Sequence, residues 1–362
     1  MQIVINRNKL VENLSVLEMA LPGRISFALI EGVYMNREGD SLTLCANDLE
    51  MAIKLSTRDA KGDGEGATVL PKKFVQIVKQ LPDNEVKITI KDDKAVIESG
   101  KSRFKLNCID ADEFPVLDDG YMGNPSFEIE GRAIKEMIRK VAFCVSADID
   151  RPVFMGVHIT NEEGVLSCMA SDTYRLSWYK NLKIDYAEPF EILVPGALLT
   201  KVGKIVNDDD NVRVHIDSSE LVFVTDDYVV SARLIDGKYP DLKKALPKNP
   251  ETQIVINKQA LSDAINRARL VIGKQHDAVT LSIADDFTIK AQSEIGKMSE
   301  ELPIAFKGNK LERIILNARF LLEGVKAIDG DKIYIDFHDE TGPAIIKETG
   351  FRYLVLPIKT AE

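Results

Sequence analysis

The sequence predicts an α+β fold in which one unit of about 120 residues occurs three times. The first observation is a stretch that recurs in similar form and aligns on one alanine in each copy: Ala46, Ala170 and Ala291. The second is a marker before a predicted helix that recurs with nearly the same offset: VLPKKF, LVPGAL and ILNARF at 69–74, 193–198 and 315–320. Two markers that keep one spacing indicate three copies of a single structural unit.

Within each copy, the pattern predicts a strand, a helix and several strands, and then the same order again. Leu10, Leu14 and Leu17 recur at helical spacing and predict the first helix. Alternating runs, such as EVKITI at 85–90 and NVRVHI at 211–216, predict strands that continue into hairpins. Each copy is therefore expected to hold two helices packed on antiparallel sheets of about six to eight strands. The six predicted helices are 7–20, 72–80, 131–142, 196–206, 257–272 and 317–328.

Two turn-rich stretches separate the copies. Residues 118–125 contain an Asp-Asp-Gly turn signal, and residues 246–250 carry two prolines that stiffen the chain. These junctions predict domains at residues 1–122, 123–250 and 251–362. A chain of 362 residues also exceeds what one hydrophobic core usually serves, which agrees with several domains.

Charge is distributed unevenly along the chain. The net charge of −10, from 47 basic and 57 acidic residues, is unusual for a simple nucleic-acid binder. The six predicted helices nevertheless carry 16 basic and 5 acidic residues, whereas the remainder carries 31 basic and 52 acidic residues. Glutamate forms helices about as well as lysine does, so helix propensity alone does not explain the scarcity of acids there.

Two interpretations of the cationic helices are open from charge alone. They are either ordinary solvated helices rich in lysine or one surface that faces a polyanion. The second interpretation predicts contacts with phosphates that are independent of base sequence and weaken as salt rises. The sequence has no zinc-finger spacing, helix-turn-helix signature or RNA-binding aromatic pair, so base reading is not expected.

Membrane and secretion signals are missing from the sequence. No apolar run reaches the roughly 18 residues that a membrane helix needs, and the segment MQIVINRNKL lacks the apolar core of a secretion signal. The expected location is therefore the cytoplasm, with no membrane partner. Four cysteines without CxxC spacing are expected to be reduced, buried thiols.

Catalytic and metal-binding patterns are missing as well. The four histidines are isolated from one another, and no GxSxG nucleophile elbow occurs. Gly100-Lys101-Ser102 resembles the end of a phosphate loop, but the residue five positions before the glycine is Ala95. The acidic triplet 208–210 is typical of a solvated turn. We therefore expect no enzymatic activity, no catalytic residue, no metal site and no cofactor.

One segment of the second copy departs from its counterpart in the first. Residues 171–176 read SDTYRL where the aligned residues 47–52 read NDLEMA. Asp172 is expected to cap its own backbone in a turn, and the segment is either that turn alone or part of a recognition surface. A rival hypothesis is a hydrolase or transferase that uses Asp172 and Arg175 in a cleft, although no nucleophile or base accompanies them. A three-domain scaffold unrelated to DNA would leave the helix charge unexplained.

The three tandem units, the cationic helices and the SDTYRL segment together resemble the bacterial DNA polymerase III beta subunit family, the DNA sliding clamps. The resemblance covers the whole chain, and the order and spacing of its motifs are more specific than any one of them. The further motifs that carry it are Asn47–Met51, Ser102–Phe104, Phe114–Pro115, Asp236–Asp241, Leu246–Pro250 and Tyr353–Ile358. The resemblance implies a head-to-tail homodimeric ring of clamp domains that encircles duplex DNA. It also implies a processivity factor that tethers the replicative polymerase.

The resemblance implies a pocket for partner peptides between the second and third domains. Its apolar residues would accept hydrophobic anchors of a linear motif, and Arg175 would hold backbone carbonyls or a carboxylate. For Leu176, Ala245 and Leu356, core packing is an equally good interpretation. The implied pocket residues are Phe154, Ser171, Thr173, Tyr174, Arg175, Leu176, Pro240, Lys244, Ala245, Phe320, Leu354, Leu356, Pro357 and Ile358.

Two further sites follow from the same resemblance. The implied dimer edge pairs one chain's Lys101, Arg103, Phe104 and Leu106 with Leu270, Val271, Glu300 and Glu301 of the other chain. The implied DNA contacts are Arg24, Lys72, Lys73, Lys135, Arg139, Lys201 and Lys204.

The implied partners are double-stranded DNA, a second copy of the chain and the replicative DNA polymerase. Repair enzymes and other polymerases would bind through linear peptide motifs. An ATP-driven clamp loader would open the ring, because the chain carries no nucleotide-binding motif of its own.

Overall fold

The computed structural model describes residues 1–23, 30–118, 120, 125–247, 249–272, 277–284 and 286–359. The chain divides into two compact units. The first unit comprises Met1–Lys135 and Leu198–Leu234, and the second comprises Glu136–Ala197 and Ile235–Glu362. Each unit contains its own sheets and its own apolar core.

Six α-helices lie in the described ranges, at the positions that the sequence predicts. The helices are α1 (Arg7–Leu17), α2 (Lys73–Lys79), α3 (Gly131–Val141), α4 (Gly196–Ile205), α5 (Lys258–Val271) and α6 (Ala318–Ala327). Together they carry 15 basic and 4 acidic residues, so the predicted excess of positive charge is confirmed on these shorter elements.

The helix ends follow from local hydrogen bonds. The side chains of Asn6, Asn257 and Asn317 accept backbone N–H groups at the starts of α1, α5 and α6. An N-cap of this kind stabilises a helix by about 1 kcal/mol. The last three residues predicted for the first helix form the 3-10 turn Glu18–Ala20 instead, and the last residue predicted for the third helix begins the 3-10 turn Ala142–Cys144.

The strands are numbered along the chain. The first copy contains β1 (Gln2–Asn6), β2 (Gly32–Glu38), β3 (Ser41–Asn47), β4 (Met51–Thr57), β5 (Lys61–Asp63), β6 (Gly66–Pro71), β7 (Glu85–Lys91), β8 (Lys94–Ser99) and β9 (Ser102–Asn107). The second contains β10 (Phe127–Glu130), β11 (Gly156–Glu162), β12 (Val165–Ser171), β13 (Arg175–Lys183), β14 (Phe190–Pro195), β15 (Asn211–Ile216), β16 (Glu220–Val224) and β17 (Tyr228–Arg233). The third contains β18 (Thr252–Asn257), β19 (Ala278–Ile283), β20 (Phe287–Ser293), β21 (Gly296–Leu302), β22 (Ala305–Gly308), β23 (Leu311–Asn317), β24 (Lys332–Phe337), β25 (Ala344–Glu348) and β26 (Phe351–Val355).

The described parts of the first and third copies thus hold nine strands each, one more than predicted. The short edge strands β5 and β22 account for the difference. Strands of three and four residues are too short to show a period-2 pattern of apolar residues, so the sequence does not reveal them.

The first unit contains two antiparallel sheets. One has five strands in the order β5-β1-β7-β8-β9, and the other has eight in the order β10-β15-β16-β17-β4-β3-β2-β6. The pairing of β17 with β4, with Ser231 opposite Ala52, joins strands of the second and first copies in one sheet.

The second unit repeats this organisation. It contains a nine-stranded sheet in the order β14-β11-β12-β13-β26-β25-β24-β18-β22 and a four-stranded sheet in the order β21-β20-β19-β23. Here β13 of the second copy pairs with β26 of the third. Both sheets that cross a junction between copies do so through the same kind of antiparallel pair.

The core lies between helices and sheets. Leu10, Leu14 and Leu17 of α1 are fully buried, as their spacing predicts. Each contributes about 1.5–3 kcal/mol through removal of its side chain from water. Helix α1 packs against α2, and α5 packs against α6.

The four cysteines are free thiols, and Cys45, Cys144 and Cys168 are buried as expected. Burial raises the pKa of Cys45 to about 11, so this thiol is protonated at neutral pH. Cys108 is only half-buried.

Candidate functional site

An apolar cluster lies on the second unit where β13 and β26 pair. Leu176 of β13 lies opposite Leu354 of β26, and both are almost fully buried. They pack in one cluster with Met169, Leu193 and Ile345. The cluster forms a rigid apolar floor on one face of the nine-stranded sheet.

Aromatic side chains from two other segments pack on this floor. Tyr239, which follows the last strand of the second copy, is buried in the cluster. Phe154, from the 3-10 turn Pro152–Met155, meets the Tyr239 ring edge-on, with the ring centroids 5.8 Å apart. His158 stacks on the same tyrosine at 4.8 Å, and its Nε2 lies 2.8 Å from Glu191 Oε1. These contacts fix the chain segment that leads into the third copy.

Three large apolar or aromatic side chains next to the cluster stay exposed. Tyr174 is 64% exposed, Leu356 43% and Ile358 38%. Backbone bonds hold them in place, because Leu356 N–H donates to the Tyr174 carbonyl at 2.9 Å and Ile358 N–H donates to the Ile315 carbonyl at 2.8 Å. We call these exposed residues and the cluster beneath them the junction surface. Exposed apolar groups on a fixed backbone suit the anchors of a linear peptide.

The predicted pocket residues differ in exposure. The exposed ones, besides the three above, are Thr173, Pro240, Lys244 and Ala245. The half-buried ones are Phe154, Phe320 and Pro357. The buried ones are Ser171, Arg175, Leu176 and Leu354. Core packing is therefore what the structure shows for Leu176, whereas Ala245 and Leu356 are available to a ligand.

The loop that precedes β13 is built as the sequence predicts. Asp172 Oδ1 accepts the backbone N–H groups of Tyr174 at 3.0 Å and Arg175 at 3.1 Å, which confirms the predicted cap. Ser171 Oγ accepts the N–H of Thr173 at 3.1 Å. These bonds hold Thr173 at a φ of 76°, a left-handed conformation that a β-branched residue rarely adopts.

The Arg175 side chain pairs with groups of its own chain, whereas the resemblance implies that it holds a ligand's carbonyl or carboxylate. Its side chain is 6% exposed. Nε donates to Asp172 Oδ2 at 2.8 Å, Nη2 donates to the Phe143 carbonyl at 2.8 Å, and Nη1 pairs with the Glu323 carboxylate. The guanidinium also lies 4.2 Å from the centroid of the Phe320 ring. The sequence could not reveal this pairing, because Glu323 and Arg175 lie far apart along the chain.

The same contacts bear on the rival hydrolase or transferase hypothesis. Asp172 and Arg175 pair with each other, and both are largely buried, with 14% and 6% of their side chains exposed. Their charges and hydrogen-bonding groups serve the loop. A catalytic role in an open cleft would require the side chains of Asp172 and Arg175 to be accessible to a substrate, so the geometry gives this hypothesis no support.

An edge strand of the first unit carries the first half of the predicted dimer interface. β9 ends the five-stranded sheet. Phe104 is 40% exposed there, Leu106 is half-buried, and Lys101 and Arg103 are exposed. An open strand edge with apolar and cationic side chains is suited to pairing with another strand.

An edge strand of the second unit carries the second half. β21 ends the four-stranded sheet and presents Glu300 and Glu301. A hydrogen bond from Arg267 lowers the pKa of Glu300, so this group is ionised at neutral pH. Leu270 near the end of α5 is 78% exposed and Val271 is half-buried. Ile295, in the turn between β20 and β21, is 77% exposed and was not predicted.

Three of the predicted DNA-contacting cations on α3 and α4 have acidic neighbours in their own unit. In the first unit, Lys135 Nζ lies 2.6 Å from Asp208 Oδ1, and its hydrogen bond lowers the pKa of Asp208. Lys201 Nζ lies 3.8 Å from Asp48 Oδ2. In the second unit, Arg139 donates to Asp329 Oδ1 at 2.5 Å and to the Ala327 carbonyl at 3.0 Å. Surface pairs such as these are weak, so DNA phosphates could replace the carboxylates.

The remaining predicted cations differ in their surroundings. Lys72 donates to the Pro22 carbonyl at 2.8 Å, and Lys73 donates to Gln76 Oε1 at 3.0 Å. Lys204 is exposed. Arg24 lies outside the described residues.

Lys140 is a helix cation that is unavailable to DNA. It is fully buried. Its ammonium donates to Asp329 Oδ2 at 2.8 Å and to the Ala327 carbonyl at 2.7 Å, and it also pairs with Glu348. The positive charge that the helices present to a ligand is therefore smaller than the count of basic residues suggests, by at least the one charge of Lys140.

The described residues contain neither a metal-binding cluster nor a membrane-spanning helix. No group of three or more His, Cys, Asp or Glu side chains there could hold a metal ion. No helix in the described ranges is long and apolar enough to cross a lipid bilayer.

Comparison with known proteins decides the family. Residues 1–118, 128–241 and 243–359 match, in this order, the N-terminal, central and C-terminal domains of the DNA polymerase III beta subunit. This chain belongs to the DNA polymerase III beta subunit family.

Relatives of full length agree with that assignment. A beta sliding clamp of Halalkalibacterium halodurans is 28% identical over 384 residues, which cover 99% of this chain and 100% of the relative. A beta sliding clamp of Staphylococcus aureus is 29% identical over 378 residues, with the same coverage. The crystal structure of the DNA polymerase sliding clamp from Bacillus subtilis matches with a TM-score of 0.92 and 29% identity over 100% of both chains.

Membership of the sliding-clamp family confirms the fold of three tandem α+β clamp domains. A role as a replication processivity factor follows from it, and this role is not a catalytic one. The scaffold unrelated to DNA is therefore wrong. The exact domain boundaries and the site residues stay predictions.

Proposed function

We propose that two copies of this chain close head to tail into a ring around duplex DNA and hold the replicative polymerase there. The ring binds DNA without sequence preference and catalyses no reaction. An ATP-driven clamp loader opens it. The chain acts in the cytoplasm, where bacterial DNA is replicated, and its domains comprise residues 1–122, 123–250 and 251–362.

The observation that carries the ring is the complementarity of two open strand edges. β9 in the first unit is cationic and exposes Phe104, whereas β21 in the second unit is acidic and lies near the exposed Leu270. Pairing the β9 of one copy with the β21 of another satisfies both backbone edges and buries apolar surface. Because the two edges differ, each contact is head to tail, and a rotation that closes after two copies gives a ring.

The helices supply the DNA contact in this proposal. Their net positive charge contrasts with the net charge of −10 for the whole chain. Helices that line the hole attract phosphates, while the acidic remainder repels DNA from other surfaces. Contacts with phosphates alone leave the ring free to slide.

The junction surface supplies the tether. A linear motif of the replicative polymerase, or of repair enzymes and other polymerases, docks apolar anchors beside Tyr174, Leu356 and Ile358. Encirclement then raises the effective concentration of a weakly bound enzyme at the primer end. Two copies in a ring offer two such surfaces.

Retention on circular DNA tests encirclement. The protein is loaded on a nicked plasmid with a bacterial clamp loader and ATP, and free protein is removed by gel filtration. We expect it to stay with the circle and to be lost when a restriction enzyme linearises the plasmid. Equal loss from circular and linear DNA would show a surface binder and contradict the ring.

Native mass spectrometry tests the dimer edge. Leu106→Asp places a carboxylate in the apolar part of the proposed interface beside the acidic β21, so we expect monomers. Lys61→Asp, on the opposite edge strand β5 of the same sheet, is the matched control and should stay dimeric. A dimer in both variants would contradict the assignment of β9.

A further inference from the structure

Arg175 holds the loop of the second copy against a helix of the third. Its guanidinium is enclosed by groups of its own chain and lies over the Phe143 ring at 5.6 Å as well as the Phe320 ring at 4.2 Å. Asp172 provides one carboxylate partner and Glu323 the other. A cation with two carboxylates and two rings around it has one favoured position.

Of the two carboxylate partners of Arg175, Glu323 is the one that lies far away along the chain. It lies on α6, one turn after Phe320, and a third of its side chain is exposed. Tyr353 Oη donates to the Phe320 carbonyl at 2.9 Å, which fixes α6 against β26. Glu323 is therefore held by the third copy and transmits that position to Arg175.

The loop needs such support because its backbone conformation is unfavourable. Thr173 has a φ of 76°, and a non-glycine residue keeps this conformation only where its surroundings enforce it. Asp172 enforces it by accepting two backbone N–H groups with Oδ1 while Oδ2 receives Arg175 Nε. If Glu323 no longer anchors Arg175, Asp172 loses part of its own orientation.

The same loop forms the rim of the junction surface. Tyr174 follows Thr173, and its carbonyl accepts the N–H of Leu356. A change in the loop conformation therefore alters the distance between the exposed side chains of Tyr174 and Leu356, which would bind the peptide anchors. Rims that are held in place bind a peptide more tightly, because less conformational freedom is lost on binding.

We propose that Glu323 is a positioning residue for peptide binding, which acts through Arg175 and Asp172 on Tyr174 and touches no peptide itself. The inference rests on the proposed role of the junction surface. Glu323→Gln removes the charge and keeps the shape of the side chain. We expect it to weaken peptide binding about five- to tenfold, within the usual range of coupling between distinct sites.

The test uses the full-length protein and a fluorescein-labelled hexapeptide selected from a random library on the unmodified protein. Fluorescence anisotropy gives its Kd for Glu323→Gln, for Glu323→Asp and for Lys326→Gln. Lys326→Gln is the matched control, because Lys326 is exposed on the same helix. We expect a loss with Gln, partial rescue with Asp and no change with the control.

Hydrogen exchange separates positioning from a general loss of stability. In Glu323→Gln, the amides of Tyr174 and Arg175 should exchange faster, whereas those of the neighbouring β12 should not change. Uniformly faster exchange of the whole second unit, or an unchanged Kd, would overturn the proposal.

Leu356→Ala and Ile358→Ala distinguish failure of this inference from failure of the proposed function. If these variants bind the hexapeptide normally, the peptide does not use the junction surface and the proposed function fails there. If they lose binding while Glu323→Gln does not, only the positioning role is wrong.

Discussion

Two loops of this chain have the same backbone conformation but different side chains at the strand junction beside each of them. In residues 47–51 and in residues 171–175, an aspartate accepts the backbone N–H groups two and three positions after it. The residue after the aspartate is left-handed in both, with φ of 71° at Leu49 and 76° at Thr173. The same turn therefore occurs in two copies whose loop side chains differ.

The junction beside each loop is also the same in its main chain. Arg233 N–H donates to the Glu50 carbonyl at 2.9 Å, and Leu356 N–H donates to the Tyr174 carbonyl at the same distance. The side chains differ in kind, because the first pair is charged and the second is apolar or aromatic. The backbone therefore provides the site, and four side chains decide what could bind there.

The chain segments that follow each copy are anchored alike. Phe114 stacks on Tyr34 with ring centroids 5.3 Å apart, and Tyr239 stacks on His158 at 4.8 Å. Each stack lies in or against an apolar cluster. The two regions thus differ at the rim and resemble each other beneath it.

The ion pairs that connect loop and helix differ most. In the first unit, Lys201 of α4 reaches Asp48 directly at 3.8 Å. In the second unit, Arg175 lies between Asp172 and Glu323 of α6. A buried arginine with two carboxylates fixes a loop more firmly than one long, partly exposed pair.

Exchanging the rim side chains should have the largest effect on binding. Tyr174→Glu with Leu356→Arg gives the second junction the rim of the first. We expect the hexapeptide to bind at least thirtyfold more weakly, since losing an apolar anchor contact costs about 2 kcal/mol or more. Both positions are exposed, so the urea midpoint should hardly change.

The reciprocal exchange is the control for that variant. Glu50→Tyr with Arg233→Leu should not create binding, because Ala52 and Ser231 stand where the second junction has Leu176 and Leu354. Tight binding by this variant would mean that the rim alone suffices and the floor is unimportant.

Removing the cation that links loop and helix should lower the free energy of unfolding much more in the second unit than in the first. Arg175→Met introduces the residue of the aligned position Met51 and leaves two carboxylates unpaired, so we expect a loss of about 3–5 kcal/mol. Lys201→Met should cost at most about 1 kcal/mol. Urea denaturation measures both, and equal losses would show that the arginine pair is no stronger than the lysine pair.

Glycine at the left-handed positions should give the smallest effect. Leu49→Gly relieves an unfavourable φ and should stabilise the chain by about 0.5–1 kcal/mol. Thr173→Gly should also not destabilise it, but it should weaken hexapeptide binding because it loosens the rim. Paired urea and anisotropy measurements would detect this divergence, and identical behaviour of the two variants would contradict it.

Short-range patterns explain what the sequence predicted correctly. The caps of Asp172 and of the helices involve groups within three residues, so residue type and position are enough to predict them. Contacts between residues that lie far apart along the chain were not predicted from such patterns. Lys140 is one of the 16 basic residues counted on the predicted helices, yet it is buried against Asp329 and Glu348. The sequence around Lys140 gives no indication that Asp329 and Glu348 are its partners.

The repeat of about 120 residues, the order of helices and strands and the excess of positive charge on the helices were fixed by the sequence alone, since periodicity and composition are local properties. Only the tertiary structure decided that Arg175 pairs with Glu323, that Tyr174 and Leu356 meet at one rim and that β9 and β21 each lie at an edge of their sheet. Those outcomes depend on which distant segments pair, and pairing over such separations is determined by the packing of the whole unit.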